Sequence, residues 1–212
     1  IGTYHFGVSK ITATSFTSGR LKCQTYTKSD GLSSNNIYCM QEDNQHTIWL
    51  GTTNGFLTKY ENGKFSPFVI SDETKTDFVA DILKDSRNNI WVGTLEHGLI
   101  KITNKDYSFY TEAEGLSSHC INYLLEDKDK NIWICTDVGL CVFKNEAIIT
   151  FNENSGLPTN MPQSIHELTD GTIVCGTAPG LSYYNGTRFI SIDNIEEVKN
   201  SLQTHPQKYT EW

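Results

Sequence analysis

The sequence has no long apolar segment. No stretch of about 18 or more apolar residues occurs in the 212-residue chain, which excludes a membrane-spanning helix and predicts no membrane contact by this segment. Residues 1–20 also lack the basic start and apolar middle of a signal peptide. The chain begins with Ile1 instead of Met, so we expect a start upstream and treat the sequence as a piece of a longer protein.

Clustered positive charge is also missing. The chain has 17 Lys and Arg residues against 25 Asp and Glu residues, which gives a net charge of −8 and a pI of about 5.2. Sequence-independent binding to nucleic acid depends on concentrated positive charge. We therefore expect no nucleic-acid partner.

The sequence contains none of the short motifs that mark common catalytic or metal sites. Its six cysteines show no C-x-x-C spacing, and most lie in apolar strand patterns typical of small buried thiols. Residues 127–131 open like a calcium loop, but Ile132 and Val138 stand where that loop needs Gly and Glu. No nucleophile elbow, P-loop, dinucleotide fingerprint or H-E-x-x-H motif occurs. We expect no metal, no cofactor and no catalytic residue.

What the chain does contain is an internal repeat. The pentapeptide IWLGT recurs as IWVGT and IWICT at intervals of 42 residues, with its tryptophan at Trp49, Trp91 and Trp133. A weaker copy, IVCGT, begins at Ile173, and the tripeptide IGT opens the chain. Five copies are therefore present, which indicates a repeat architecture.

Each period predicts four short β-strands. A loop such as G-L-S-S-N is followed by an apolar segment, an acidic turn, the tryptophan segment and two further strands. The acidic turns are placed at Asp43, Asp85, Asp127 and Asp170. Before residue 193 no segment has the apolar spacing of a helix, which excludes a two-helix repeat of similar length.

These units predict an all-β fold, a β-propeller of four-stranded antiparallel blades, because one such unit cannot bury both of its faces alone. The first period is seven residues longer than the others, through residues 11–21, which suggests an extended hairpin. The end of the chain has the spacing of a short helix. The predicted organisation is a partial blade at 1–30, blades at about 31–70, 71–112, 113–153 and 154–192, and a non-repeat tail at 193–212.

Structural roles account for the most regular residues of the repeat. The tryptophans are predicted to be apolar plates packed between neighbouring blades. The glycine two residues later would remove a side chain where the next sheet approaches closely, and Cys135 replaces it once. The carboxylates at the acidic turns recur in register, which favours a role in the repeat over acid–base catalysis. The residues with these predicted roles are Trp49, Trp91, Trp133, Gly51, Gly93 and Gly176.

The pattern from Gly31 to Phe65 resembles the two-component-regulator propeller repeat. It combines G-L-S-S-N before a strand with E-D, I-W-L-G-T, N-G-F and Y-x-x-G-x-F, and the resemblance runs from Ile1 to about Ile192. It implies a seven-bladed ring, of which this chain with about five blades would be a fragment. A self-contained five-bladed ring closed by the tail is the alternative.

The resemblance also implies a function. Such propellers usually form the extracytoplasmic part of membrane sensors, often hybrid histidine kinases of gut Bacteroidetes that detect glycan fragments. For this chain it implies a periplasmic location, an oligosaccharide ligand and a homodimer formed through the full-length sensor. Any kinase or other output would lie outside this segment.

Ligand-binding candidates lie where the loops leading into the innermost strands converge, because propellers usually bind ligands at one end of the central channel. These loops end at Asn35, Asp77, His119 and Asn160. Asn and His side chains can satisfy sugar hydroxyls, although solvated or strand-capping roles are the favoured interpretation.

Three functions remain open. The first is a sensor input module that binds a saccharide or transmits the conformational state of a partner. The second is a protein-interaction scaffold without signalling output. The third is a propeller lyase or hydrolase.

Overall fold

The computed structural model describes residues 1–11, 23–54, 56–71, 74 and 77–192. The chain divides into two compact units, Ile1–Phe109 and Tyr110–Trp212. Antiparallel strands make up nearly all regular structure in the described ranges, joined by short turns and 3-10 helices. No helix there has the length and apolar character needed to cross a bilayer.

Nineteen described strands form five antiparallel sheets. The first sheet consists of β1 (Gly2–Thr3), β2 (Gly7–Ile11) and β3 (Cys23–Tyr26). The second consists of β4 (Ile37–Glu42), β5 (Ile48–Thr52), β6 (Leu57–Glu61) and β7 (Lys64–Phe68). The third consists of β8 (Val79–Lys84), β9 (Ile90–Thr94), β10 (Leu99–Ile102) and β11 (Tyr107–Tyr110). The fourth consists of β12 (Ile121–Glu126), β13 (Ile132–Thr136), β14 (Leu140–Lys144) and β15 (Ala147–Phe151). The fifth consists of β16 (Pro162–Glu167), β17 (Ile173–Thr177), β18 (Gly180–Tyr184) and β19 (Phe189–Ile192).

In every sheet the strands are neighbours in chain order, as in a meander. This confirms the predicted all-β fold of four-stranded antiparallel units with one partial unit at the start. The predicted extended hairpin lies largely outside the described residues, and the predicted helical tail lies wholly outside them.

A threonine fixes the turn after the strand that carries the pentapeptide, or its equivalent, in every sheet, which explains the last residue of the pentapeptide. Its hydroxyl donates a hydrogen bond of 2.9–3.1 Å to a backbone carbonyl at the far side of that turn. Thr3 at the end of β1 makes the same bond as Thr52 at the end of β5. In the first sheet, β1 therefore corresponds to the second strand of the other sheets. The donors are Thr3, Thr52, Thr94, Thr136 and Thr177.

The G-L-S-S-N loops contain one-turn 3-10 helices that connect successive sheets. These helices are Lys28–Asp30, Glu112–Glu114 and Glu153–Ser155. Each helix ends at a glycine in the left-handed region, such as Gly31 with φ 104°, where a side chain would be strained. A buried leucine follows each glycine, at Leu32, Leu116 and Leu157. The motif is therefore a capped turn with a hydrophobic anchor.

Two of the three repeat tryptophans lie in cores shared by adjacent sheets of the same unit. In the first unit, Trp49 of β5 belongs to a cluster that includes Val79 and Val92 of the third sheet. In the second unit, Trp133 of β13 clusters with Ile165 and Phe189 of the fifth sheet. Both indoles are at least 95 % buried, at 5 % and 3 % exposure.

The acidic turn supplies the hydrogen-bond partner of each buried indole. Trp133 Nε1 donates to Asp127 Oδ2 at 2.8 Å, and the corresponding bonds of Trp49 to Asp43 and Trp91 to Asp85 are both 2.9 Å. A buried N–H without a partner is costly, so the carboxylate allows a large polar-edged ring to be buried. The recurring six-residue spacing follows from this pair.

Asp170 lies in the predicted turn, but two residues after the position that Asp127 occupies in the fourth sheet. The turn is closed in the fourth sheet by Asp127 N–H donating to Asn131 O at 3.0 Å, and in the fifth by Leu168 N–H donating to Thr172 O at 2.9 Å. Leu168 therefore occupies the aspartate position, and the Asp170 carboxylate accepts from Thr172 N–H and Thr172 Oγ1 instead of from an indole. The prediction chose the acidic residue of the turn. The spacing of six residues between Asp127 and Trp133, applied to Val174, gives Leu168 instead.

Candidate functional site

The side chains of two of the four predicted ligand residues form hydrogen bonds within their own loops. Asn35 Oδ1 accepts a hydrogen bond of 2.8 Å from the backbone N–H of Lys28. Asn160 Oδ1 accepts an equivalent bond of 2.8 Å from Glu153 N–H. In each case the donor is the first residue of the 3-10 helix, seven positions earlier. These amide oxygens therefore brace the loop and are engaged within the chain.

His119 is also bonded to the residue seven positions earlier, but here the loop-end residue donates and the first residue of the 3-10 helix accepts. Its backbone N–H donates to Glu112 Oε1 at 2.9 Å, and its Nδ1 lies 2.8 Å from the same oxygen. Hydrogen bonds from its own backbone N–H, and then from His119, lower the pKa of the Glu112 carboxyl. Both side chains are about half exposed, so the pair is a solvent-accessible loop brace.

Asp77 differs from the other three predicted residues. Its side chain is buried, with the whole residue only 1 % exposed, and Oδ2 lies 2.8 Å from His97 Nδ1. Its other oxygen, Oδ1, is buried with no hydrogen-bond partner among the described residues. A buried carboxylate oxygen normally has a partner, so this loop has an unsatisfied site that the other three lack.

The histidine that meets Asp77 lies in the turn between β9 and β10. His97 N–H donates to Thr94 Oγ1 at 3.0 Å, and the imidazole side chain is 28 % exposed. The neighbouring Glu96 is exposed, and one donor atom from each of Asp77, Glu96 and His97 lies within 4.8 Å of the others. These are the residues in the described ranges that could hold a metal ion.

Sequence reasoning missed Glu96 and His97. Residues twenty positions apart meet only because β8 and β9 pair, with Val79 opposite Thr94. The length of the turn gave no specific signal: Thr94 bonds to a carbonyl four residues later, as do Thr3 and Thr52, whereas Thr136 and Thr177 bond to one three residues later. The turn after β9 is therefore one residue longer than those of the fourth and fifth sheets and equal to those of the first two.

Exposed aromatic rings lie at the same end of the second and third sheets. The pairing of β4 with β5 shifts register between Ile37 and Cys39, which leaves Tyr38 at a β-bulge. Bulges redirect side chains, and Tyr38 is 59 % exposed. Its ring stacks edge-on against Phe78, the residue after Asp77, with centroids 4.8 Å apart.

A second exposed aromatic pair lies in the turn between β1 and β2. Tyr4 and Phe6 are 58 % and 72 % exposed, and the backbone N–H of His5 donates to Asn36 Oδ1 at 2.9 Å. This bond holds the turn against the loop that leads into β4. The first unit therefore presents Tyr4, Phe6 and Tyr38 next to polar loop residues.

The predicted residues are not hydrogen-bonded to one another within the described part of either unit. Within the described part of the first unit, no hydrogen bond links Asn35 to Asp77, and in the second unit none links His119 to Asn160. What they share is an equivalent loop position in successive sheets.

Cys39 and Cys175 are poor nucleophiles. None of the six cysteines forms a disulfide, and burial raises the pKa of the Cys39 thiol to about 12 and that of Cys175 to about 11. Both thiols are protonated at neutral pH, which is the behaviour of small core residues.

Comparison with known proteins identifies the repeat. Residues 31–54, 75–96 and 115–138 match the family model described as two component regulator propeller. No curated protein matches the sequence.

Solved structures share the fold. The extracellular domain of a hybrid two component system from B. thetaiotaomicron matches with a TM-score of 0.72 and 24% identity, over 86% of this chain and 25% of that chain. A second such domain from the same organism matches with a TM-score of 0.64 and 25% identity, over 78% of this chain and 24% of that chain. Virginiamycin B lyase from Staphylococcus aureus matches with a TM-score of 0.59 and 13% identity, over 76% of this chain and 57% of the lyase.

The chain spans about a quarter of the length of the two extracellular domains that it resembles. The likeness to the lyase is one of fold alone.

Proposed function

Because the chain carries repeats of the two component regulator propeller family, we propose that it is part of the ligand-sensing input module of a bacterial two-component regulator. The observation that carries this proposal is the threefold match of the family model, at the same phase of the second, third and fourth sheets. The likeness to extracellular domains supports a periplasmic location. Kinase output and dimer formation would be properties of the intact sensor, and this segment would be non-catalytic.

We propose that the ligand is a glycan fragment bound at the loop end of the first unit. Sugar rings pack their C–H faces against aromatic rings, and their hydroxyl groups need nearby donors and acceptors. Tyr38 and Phe78 form an aromatic surface of this kind, and Tyr4 and Phe6 lie in a turn that is tied to the loop before β4. Because Tyr38 sits at a bulge, its ring is held outward while β4 and β5 pair on both sides of it, from Ile37 with Thr52 and from Cys39 with Gly51.

The experiment is a thermal-shift screen of the intact protein against oligosaccharides of defined composition, followed by titration calorimetry of each hit. The panel contains α-glucan, β-glucan, xylan, arabinan, fructan and glycosaminoglycan fragments. A ligand that binds the folded state at about 100 times its Kd stabilises it by about 2.7 kcal/mol, which raises Tm measurably. We expect one glycan class to raise Tm.

A matched pair of tyrosine variants tests the location. Tyr38→Ala is expected to abolish the ligand-dependent rise in Tm. Tyr107→Ala removes another exposed tyrosine of the same unit, from the fourth strand of the third sheet, and should leave the rise intact. No response to any glycan would refute the ligand class, and equal responses in the two variants would refute the location.

A further inference from the structure

The loop cluster of the third sheet has the composition of a metal site. It offers one imidazole nitrogen from His97 and one carboxylate oxygen each from Asp77 and Glu96, all within 4.8 Å of one another. Ligands of one Zn²⁺ ion lie about 2.0–2.2 Å from it, so two of them can be separated by at most roughly 4.4 Å. A small movement of the exposed Glu96 would bring the three donors into this range.

Asp77 also has a buried carboxylate oxygen that is left unsatisfied within the described part of the chain. Asp77 is 1 % exposed, one of its oxygens already faces His97, and the other has no hydrogen-bond partner among the residues that the structure describes. Burying a carboxylate without satisfying its lone pairs is costly unless a charged partner or a metal ion compensates. A cation bound by the Asp77 carboxylate would supply that compensation.

We propose that Asp77, Glu96 and His97 bind a divalent transition-metal ion, with Zn²⁺ as the preferred species among those available to bacteria. The donor set decides the class of ion. Ca²⁺ takes about six to eight oxygen ligands and Mg²⁺ prefers oxygen in an octahedron, whereas imidazole together with carboxylate suits Zn²⁺ and its neighbours in the first transition row. Three protein ligands leave a fourth position for water or for an oxygen of a bound molecule.

The backbone holds these donors in place before an ion arrives. His97 is fixed by its N–H bond to Thr94 Oγ1, and the same hydroxyl donates to Gly98 O at 3.0 Å. Asp77 N–H donates to Thr74 O at 3.2 Å. Two of the three ligands are therefore positioned by the turn and loop in which they lie, and Glu96 is the adjustable one.

The test is titration calorimetry of the chelator-treated intact protein with ZnCl₂, in a Cys23→Ser background because Cys23 is an exposed thiol that could bind zinc adventitiously. We expect one Zn²⁺ per chain and no comparable binding of Mg²⁺ or Ca²⁺. His97→Gln should weaken binding at least 10-fold, and Glu96→Gln should weaken it less because that residue is exposed.

His119→Gln is the matched control. It removes a histidine that also lies 2.8 Å from a carboxylate, but at an exposed pair with no third ligand among the described residues. It should leave zinc affinity unchanged. The proposal is overturned if zinc does not bind stoichiometrically, or if His97→Gln and His119→Gln bind it equally.

A spectroscopic measurement keeps the test independent of folding effects. Co²⁺ in place of Zn²⁺ should give the visible absorption of a four-coordinate site in the wild type and in His119→Gln, and only the weak spectrum of hydrated Co²⁺ in His97→Gln. Circular dichroism confirms that each variant is folded. An intense cobalt spectrum that survives His97→Gln would place the ion elsewhere and overturn the assignment.

Discussion

The fourth and fifth sheets lie in the same unit and differ at two positions that change together. In the fourth sheet Asp127 accepts the indole N–H of Trp133, whereas the fifth sheet has Leu168 and Val174 at the corresponding places. Neither half of the pair is kept alone. The comparison indicates that the aspartate is present because the tryptophan is, and that its role is to satisfy a buried donor.

The largest effect is expected from breaking the pair in the fourth sheet. Asp127 accepts from Trp133 Nε1, Asn131 N–H and Asn131 Nδ2, all at 2.8 Å. Asp127→Ala leaves these donors without their acceptor, and we expect a loss of about 3 kcal/mol in the free energy of unfolding, measured by urea denaturation. Asp170→Ala, which removes a carboxylate that accepts from Thr172, should cost about 1 kcal/mol or less. Equal losses would contradict the distinction between the two sheets.

Converting the fourth sheet to the pattern of the fifth measures the coupling directly. A double-mutant cycle compares Asp127→Leu, Trp133→Val and the two changes together. The double variant should be more stable than the sum of the single losses predicts, by about 2 kcal/mol, because a hydrogen bond to a charged group contributes about that amount. Additive losses would show that the aspartate serves its turn and not the indole.

The position two residues after the tryptophan extends the comparison to the glycines. A Cβ on Gly51 would contact Cys39 Sγ and lie 2.7 Å from Val79 Cγ1 of the next sheet, whereas the fourth sheet has the fully buried Cys135 at this place. Gly51→Ala should therefore cost about 1.5 kcal/mol by overpacking. Gly180→Ala is the control, because nothing lies within 4 Å of a Cβ built there. If urea denaturation gives the two variants the same midpoint, the close approach at Gly51 has no energetic weight.

The smallest effect concerns the fifth sheet, whose core contains Cys175. Burial raises the pKa of this thiol from 9.0 to about 11, so it is protonated in the folded protein while the unfolded chain ionises it above about pH 9. This contribution to stability is full below pH 9 and is lost as the pH rises through 11. Between about pH 8 and pH 10 the wild type should lose about 1 kcal/mol more than Cys175→Ala, measured by urea denaturation at each pH. Identical pH profiles would mean that the thiol is accessible to water.

The fold could be predicted from the sequence because its determinants are local and repeated. Strand alternation and turn residues are visible within each period. The 42-residue interval of Trp49, Trp91 and Trp133 shows that the period repeats. The partner of the indole was visible only as an acidic residue at constant spacing. The fifth sheet has no acidic residue at this position. The prediction therefore chose Asp170, the acidic residue of the turn, although the backbone hydrogen bonds place Leu168 at the equivalent position.

The candidate site could be predicted only in part because its members come from separate segments. Asp77 was found from its place at a loop end, but His97 becomes its neighbour only through the pairing of β8 with β9. The outward position of Tyr38 depends on a bulge, which no residue pattern in β4 specifies. The roles of Asn35, His119 and Asn160 as ligand contacts remain predictions. Their hydrogen bonds within the loops show that each also has a structural role.

The threonine that ends each tryptophan strand closes turns of two lengths. Thr94 reaches a carbonyl four residues ahead and Thr136 one three residues ahead, with nearly equal bonds of 3.0 and 2.9 Å. A residue can therefore be gained or lost in this turn while the strands on either side keep their pairing. In evolutionary terms, this turn can change its length and its side chains while the fold is kept. His97 lies in this turn.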